Sequence, residues 1–183
     1  MIEVEVKAHV TSFSDIKSKL KEIGAIKSDK EHQIDTYFNN INLRDFEKTD
    51  EALRIRKTTI NDSESKIILT YKGAKIDNIS KTRKEIEVTI EDFEKMNSIL
   101  ENLGFKAVAD VEKYRTTYLI NNYILSLDQV HKVGKFIEIE KTILDSEKFG
   151  LELDEIFKLF KKLGIEDGFE RKSYLELMGI YKG

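Results

Sequence analysis

The sequence predicts an α+β fold in which seven or eight antiparallel β-strands close, or nearly close, into a barrel with amphipathic helices packed outside. Three features carry this expectation. Short segments alternate strictly between apolar and charged residues, the pattern of strands with two unlike faces. Stretches with apolar residues at helical spacing follow several of them and stop at glycine. The charged faces are dense in both signs. Alternation alone is also what a solvent-facing antiparallel sheet produces, so the identity of the charged residues has to decide between an outer face and an interior one.

The elements follow in order. Met1 to Val10 places Ile2, Val4, Val6, Ala8 and Val10 on one face and Glu3, Glu5, Lys7 and His9 on the other. Thr11 to Gly24 offers Ser12 or Ser14 as N-cap, then Ile16, Leu20 and Ile23 on one helical stripe, with Gly24 as the stop. Asn39 to Asp50 reads as polar turn. Ala52 to Thr58 and Lys66 to Lys72 read as strands joined by a turn at Asn61 to Ser65, and Gly73 to Ser80 as a further turn. Glu85 to Ile90 is a strand before a helix carrying Phe93, Met96, Leu100 and Leu103, which stops at Gly104. Glu112 to Ile120 and Tyr123 to Gln129 are strands, and Glu138 to Glu140 precedes a helix carrying Leu153, Ile156, Phe157, Phe160 and Leu163. Arg171 to Met178 reads as a last helical piece packed back on the body. The recurrence of a Glu-x-Glu strand, a helix and a glycine stop suggests duplication, although strand then helix is a common unit.

Composition bounds the function. The 183 residues suit one domain spanning 1–183, and 40% hydrophobic with 36% charged residues excludes collagen-like and disordered classes. The balance 31 − 34 = −3 excludes a globally basic nucleic-acid binder. With no cysteine there is neither disulfide scaffold nor thiolate chemistry. No run of 18 apolar residues or signal-like stretch occurs, so a soluble cytoplasmic protein with no membrane partner is expected.

Arginine usage points inward. Of 31 basic residues only six are arginine, and Arg54, Arg56, Arg83 and Arg115 all fall in strand segments. A rigid guanidinium fork is needed where phosphate or carboxylate oxygens must be met in two places at once. With three Glu-x-Glu pairs beside them, these arginines favour a barrel whose charged faces line a corridor. Its mixed signs limit the cost of burying charge, its cations could hold a polyphosphate, and its paired glutamates suit a hard divalent metal.

The motifs resemble those of the CYTH family of triphosphate tunnel metalloenzymes, which includes class IV adenylate cyclases and thiamine triphosphatases. Glu3-x-Glu5-x-Lys7 matches its N-terminal signature. His32 to Phe38, Ala52 to Arg56, Thr70 to Gly73, Arg83 to Glu87, Glu112 to Arg115, Leu127-Asp128 and Gly134 to Glu140 follow in the family's order. The resemblance implies an eight-stranded antiparallel tunnel with helices outside and a metal-dependent enzyme acting on a triphosphate. It implies Glu3, Glu5, Glu138, Glu140 and Asp128 as ligands for Mg²⁺ or Mn²⁺, with Glu85 and Glu87 as tunnel-lining support. It further implies Lys7, Arg54, Arg56, Lys72, Arg83 and Arg115 as the triphosphate grip, and Lys113 with Arg115 as the catalytic pair.

The expected partner is a small-molecule triphosphate: ATP, tripolyphosphate or thiamine triphosphate. In a cyclase, ATP yields cyclic AMP and pyrophosphate; in a triphosphatase, water attacks the terminal phosphorus; a third possibility is a non-catalytic polyphosphate-binding module. Arg171 to Leu177 resembles the Ser-Tyr-x-x-Leu ending of the cyclase-like branch, whereas the triphosphatase branch tends to place lysine where Tyr174 stands. Exposed helix faces could support a homodimer, which nothing in the sequence demands.

Overall fold

The alternation read in the first ten residues sets the geometry of a computed structural model that describes residues 2–144 and 146–181. In β1 (Ile2–His9), Val4, Val6 and Ala8 are buried in an outer apolar layer, while Glu3, Glu5 and Lys7 take the opposite, inward face. The other strands are β2 (Ile26–Asn39), β3 (Ala52–Ile60), β4 (Glu64–Lys75), β5 (Arg83–Ile90), β6 (Lys106–Ile120), β7 (Tyr123–Val130) and β8 (Gly134–Ile143). They close into an antiparallel barrel in the order β1-β5-β4-β3-β2-β6-β7-β8.

Register brings the charged residues together. The β1–β8 ladder sets Glu5 opposite Glu140 and Lys7 opposite Glu138. The β1–β5 seam is short, with only Ile2 opposite Lys84 and Glu3 opposite Arg83. The backbone N–H of Lys81 extends it by donating to the Glu5 carbonyl at 2.9 Å.

The helices cover the apolar outside in two patches. Ile16 and Leu20 of α1 (Phe13–Glu22) join Leu153, Ile156, Leu159 and Phe160 of α4 (Phe149–Lys162) over β1, β7 and β8. Leu100, Phe93 and Met96 of α3 (Phe93–Asn102) pack on Phe38, Ile55 and Leu69 of β2, β3 and β4. Ser12 caps α1 by accepting from the Ser14 N–H, and Asp92 caps α3 through the Lys95 N–H. Gly24 and Gly104 lie at φ +78° and +88°, left-handed conformations that suit glycine after a helix. Among the described residues, no helix is long and apolar enough to cross a membrane.

Three features depart from the sequence reading. The sequence reading has no strand over Ile26–Asn39, because Lys27 to His32 is polar throughout; β2 forms there by pairing with β6 from Ile26 and with β3 from Glu31. The presumed turn Asn39 to Asp50 contains a helical turn, α2 (Phe46–Thr49), capped by Asp45. The apolar outer faces are not all covered: Ile86 and Val88 of β5 are each 54% exposed. At the C-terminus, the Glu170 N–H donates to the Lys7 carbonyl at 2.8 Å. The chain then enters α5 (Tyr174–Leu177), whose Ser173 and Glu176 form a reciprocal capping box.

This layering makes the two outer zones energetically unequal. Ile156, fully buried under the barrel wall, is expected to cost about 2–5 kcal/mol when replaced by alanine. Ile86→Ala should stay within about 0.5 kcal/mol of wild type. Urea unfolding checks this, and equal losses would contradict the assignment of the core.

Candidate active site

The inward faces divide the barrel into two walls. Neighbouring strands β8, β1 and β5 present the three Glu-x-Glu pairs, Glu138 with Glu140, Glu3 with Glu5 and Glu85 with Glu87. Across the interior, β3 presents Arg54 and Arg56, and β6 presents Lys113 and Arg115. Between the walls lies a cavity of about 500 Å³, within the range of small-molecule sites.

On the acidic wall, Glu3, Glu5 and Glu140 each bring a carboxylate oxygen within 4.8 Å of the others. Burial, then the neighbouring Glu140, holds the Glu3 carboxyl well above its ordinary value. Burial pushes Glu140 to about 7, with Glu5 and Glu138 adding to the shift and Arg115 opposing it. Like charges crowded in a partly desolvated site create a strong demand for a cation, and three carboxylates are the donor set a hard divalent ion prefers. Among the described residues, the one cation in ion-pair contact with this triplet is Lys81, which reaches Glu5.

The other two acids assigned to metal by resemblance are placed differently. Glu138 accepts from Lys81 at 3.1 Å and Arg115 at 2.5 Å. Burial alone would raise its carboxyl, but Lys81, Lys113 and Arg115 hold it well below the ordinary value. Asp128 is fully buried outside the cavity lining; it accepts from Arg115 at 2.7 and 2.6 Å, Lys113 at 2.8 Å and the Tyr174 hydroxyl at 3.1 Å. Its place is to fix the catalytic candidates Lys113 and Arg115. Burial and the adjacent Arg115 bring Lys113 down to about 8, against the pull of Asp128.

On the basic wall, Asp35 plays the same part for the arginines. Only 1% exposed, it accepts from Arg56 at 2.6 and 2.7 Å and from Arg54 at 3.4 Å. Burial favours its neutral form, yet the two guanidinium groups hold its carboxyl far below the usual range. Arg54 also donates to Thr70 at 3.2 Å and lies 3.7 Å from Glu87, while its buried Nε has no hydrogen-bond partner among the described residues. Lys72 pairs with Glu85, and Arg83 leans on Asp50, 3.4 Å from its carbonyl and 3.9 Å from its carboxylate.

Lys7 is inward but shielded. It is 1% exposed, donates to the Lys172 carbonyl at 2.6 Å and lies 4.1 Å from the centroid of the Tyr174 ring. Burial and the nearby Lys81 lower it to about 7. The C-terminal segment therefore separates this lysine from the cavity. Near that segment the lining turns partly apolar, with Tyr37, Phe46, Ala52, Leu175 and Tyr181.

Sequence reasoning missed Lys81 and Asp35. Lys81 follows a turn and belongs to no alternating run; only closure of the seam brings it to Glu5 and Glu138. Asp35 had a usable signal, since Gln33, Asp35 and Tyr37 share one face, but the polar start of β2 obscured it. Arg171, counted in the C-terminal motif without a role, donates to the Asp77 carbonyl at 3.2 and 2.6 Å and clasps the segment to the loop carrying Lys81.

Comparison with known proteins agrees with this geometry. The CYTH domain matches residues 1–174. The chain is 46% identical over 181 residues to "Putative adenylate cyclase MJ0240" of Methanocaldococcus jannaschii, covering 98% of this chain and all of the relative. The structure of the PH1819 protein from Pyrococcus horikoshii OT3 superposes with a TM-score of 0.88 at 42% identity, covering 96% of this chain and 97% of the other. HpAC1 from Hippeastrum, described as revealing a dominant triphosphatase activity, shares the fold at a TM-score of 0.63 and 19% identity over 97% of this chain and 95% of its own. With its closed eight-stranded barrel and whole-length match, the chain belongs to the CYTH domain family.

Proposed function

We propose that this protein is a divalent-metal-dependent enzyme that acts on a triphosphate inside the barrel, as an adenylate cyclase-like lyase converting ATP to cyclic AMP and pyrophosphate. One observation carries the reading: a cation-demanding triplet, Glu3, Glu5 and Glu140, faces a prearranged guanidinium pair, Arg54 and Arg56, across one cavity. A bare polyphosphate binder would have little use for the first of these walls.

Glu3, Glu5 and Glu140 would hold Mg²⁺ or Mn²⁺, which when bound neutralises phosphate oxygens and the charge gathering on the leaving group. Arg54, Arg56 and Lys72 would grip the phosphate chain; their partners Asp35 and Glu85 hold them in place beforehand, so little reorganisation is needed. Lys113 and Arg115, anchored by Asp128, would meet charge on the reacting and leaving oxygens. Arg83 lines the same cavity but leans on Asp50, and Lys7 would join only if the C-terminal segment moved. In the reaction the ribose 3′-oxygen bonds to the α-phosphorus, the bond to the β-phosphate oxygen breaks, and the hydroxyl proton passes to solvent. The partly apolar end of the cavity, with Tyr37, Phe46 and Tyr181, supports a nucleoside-bearing substrate over inorganic triphosphate. A substrate such as ATP also fits a cytoplasmic setting.

The second reading is hydrolysis of the same class of substrate, favoured by the activity described for HpAC1. It would use nearly the same residues, with water attacking the terminal phosphorus. Chromatography after incubation with ATP, thiamine triphosphate or tripolyphosphate and Mg²⁺ or Mn²⁺ separates the readings. Cyclic AMP with pyrophosphate supports the lyase and orthophosphate the hydrolase; binding without turnover would refute both.

Residue roles are tested separately. Glu5→Gln is expected to lower kcat at least about 100-fold with the fold intact, and unchanged turnover would remove Glu5 from the metal set. Arg56→Ala should raise KM about 10- to 100-fold, the loss of one charge-assisted contact; unaltered KM and kcat would remove Arg56 from the grip. Asp35→Asn is expected to destabilise the fold by about 3–5 kcal/mol, because the buried Arg54 and the half-buried Arg56 lose their shared counter-charge. Thermal unfolding matching wild type would contradict the arrangement of that wall.

A further inference from the structure

Most cations that line the cavity are paired with acids outside the Glu3, Glu5 and Glu140 triplet. Asp35 holds Arg54 and Arg56, Asp128 holds Lys113 and Arg115, and Glu85 holds Lys72. Lys81 differs from all of these. Its ammonium donates to Glu5, a member of the triplet, and at 3.1 Å to Glu138, which lies outside it. The reaction outlined above gives this lysine no part.

The chain around Lys81 fixes its backbone and leaves its side chain between the two acids. The Asp77 carboxylate accepts from the N–H groups of Ile79 and Ser80 at 2.6 and 2.7 Å. The Ile76 N–H donates to the Thr82 carbonyl at 2.9 Å, and the Lys81 N–H to the Glu5 carbonyl at 2.9 Å. Arg171 ties the same turn down from the C-terminal segment through the Asp77 carbonyl. Ser80 and Thr82, on either side, are buried. On such a support the ammonium moves only by rotation of its flexible stem.

The Glu5 carboxylate therefore has two claimants. A hard divalent ion seeks the same oxygens, and an ammonium and a metal ion on one buried carboxylate repel each other. Burial favours the neutral amine, yet Glu138 and Glu5 hold Lys81 well above its ordinary value, so its charge persists. Glu138 gives that charge somewhere to go. One of its oxygens takes Arg115, and the other already accepts from Lys81.

Resting on the metal-dependent reading above, we infer that Lys81 is a positioning residue, the resident counter-cation of the metal site: it holds Glu5 before metal binds and yields it to the incoming ion by withdrawing to Glu138. The ion has to displace a charge-assisted hydrogen bond, so the site binds metal less tightly than its three carboxylates alone would.

Isothermal titration with MnCl₂ tests this at about pH 8, above the value of about 7 to which Glu140 is pushed. Lys81→Met, which removes the charge, is expected to bind Mn²⁺ about 10- to 100-fold more tightly than wild type, the strength of one charge-assisted hydrogen bond. Circular dichroism and thermal unfolding establish that the variant is folded. Should it fail to fold, Lys81→Gln, which keeps a donor without the charge, is measured with the same expectation. A crystal structure of the wild type with Mn²⁺ reads the movement itself: Lys81 Nζ is expected on Glu138 and off Glu5. Equal or weaker Mn²⁺ binding by a folded variant, or Lys81 still on Glu5 beside bound manganese, would overturn the inference and leave the metal reading standing. Absence of Mn²⁺ binding in wild type and variant alike would overturn both.

Discussion

The barrel depends on counter-charge. Glu5, Lys7, Asp35, Arg54, Lys113, Arg115, Asp128 and Glu138 are all buried within it, and each would cost several kcal/mol if desolvated alone. Two carboxylates organise most of the cations: Asp35 between Arg54 and Arg56, and Asp128 between Lys113 and Arg115. Each pairing satisfies the acid and aims the bases, so the same contacts that make an ionic interior tolerable also give it a fixed electrostatic shape. Lys81 extends the pattern to the seam by joining Glu5 and Glu138.

Against this background the Glu3, Glu5 and Glu140 cluster stands out as under-compensated. The raised carboxyls of Glu3 and Glu140 are the electrostatic trace of that deficit. A metal-bound polyanion would answer it, adding positive charge to this wall and acceptor oxygens opposite Arg54 and Arg56. The C-terminal segment bounds the space in which this can happen, because the Tyr174 ring and the Lys172 carbonyl occupy the ammonium of Lys7.

Much of this was legible in sequence because β periodicity is strict. Alternation in Ile2 to His9 and in Ala52 to Thr58 identified strands and inward residues together, and helix caps and glycine stops marked the outer layer. What stayed hidden was contact set by closure rather than by local pattern. Lys81 carries no alternation of its own, and Asp35 sits in a strand whose first half is polar and is held by its neighbours on both sides. The grouping of five acids as metal ligands shows the same boundary: position along the strand puts Glu138 and Asp128 on the inward face, but only three dimensions reveal that their oxygens are already engaged by cations.

The most direct measurement is a crystal structure of the protein with Mn²⁺ and a non-hydrolysable ATP analogue, with the metal located by its anomalous scattering. Manganese is expected between Glu3, Glu5 and Glu140, with phosphate oxygens against Arg54 and Arg56. Manganese bound elsewhere, or a phosphate chain outside the barrel with both walls still paired only to each other, would contradict it.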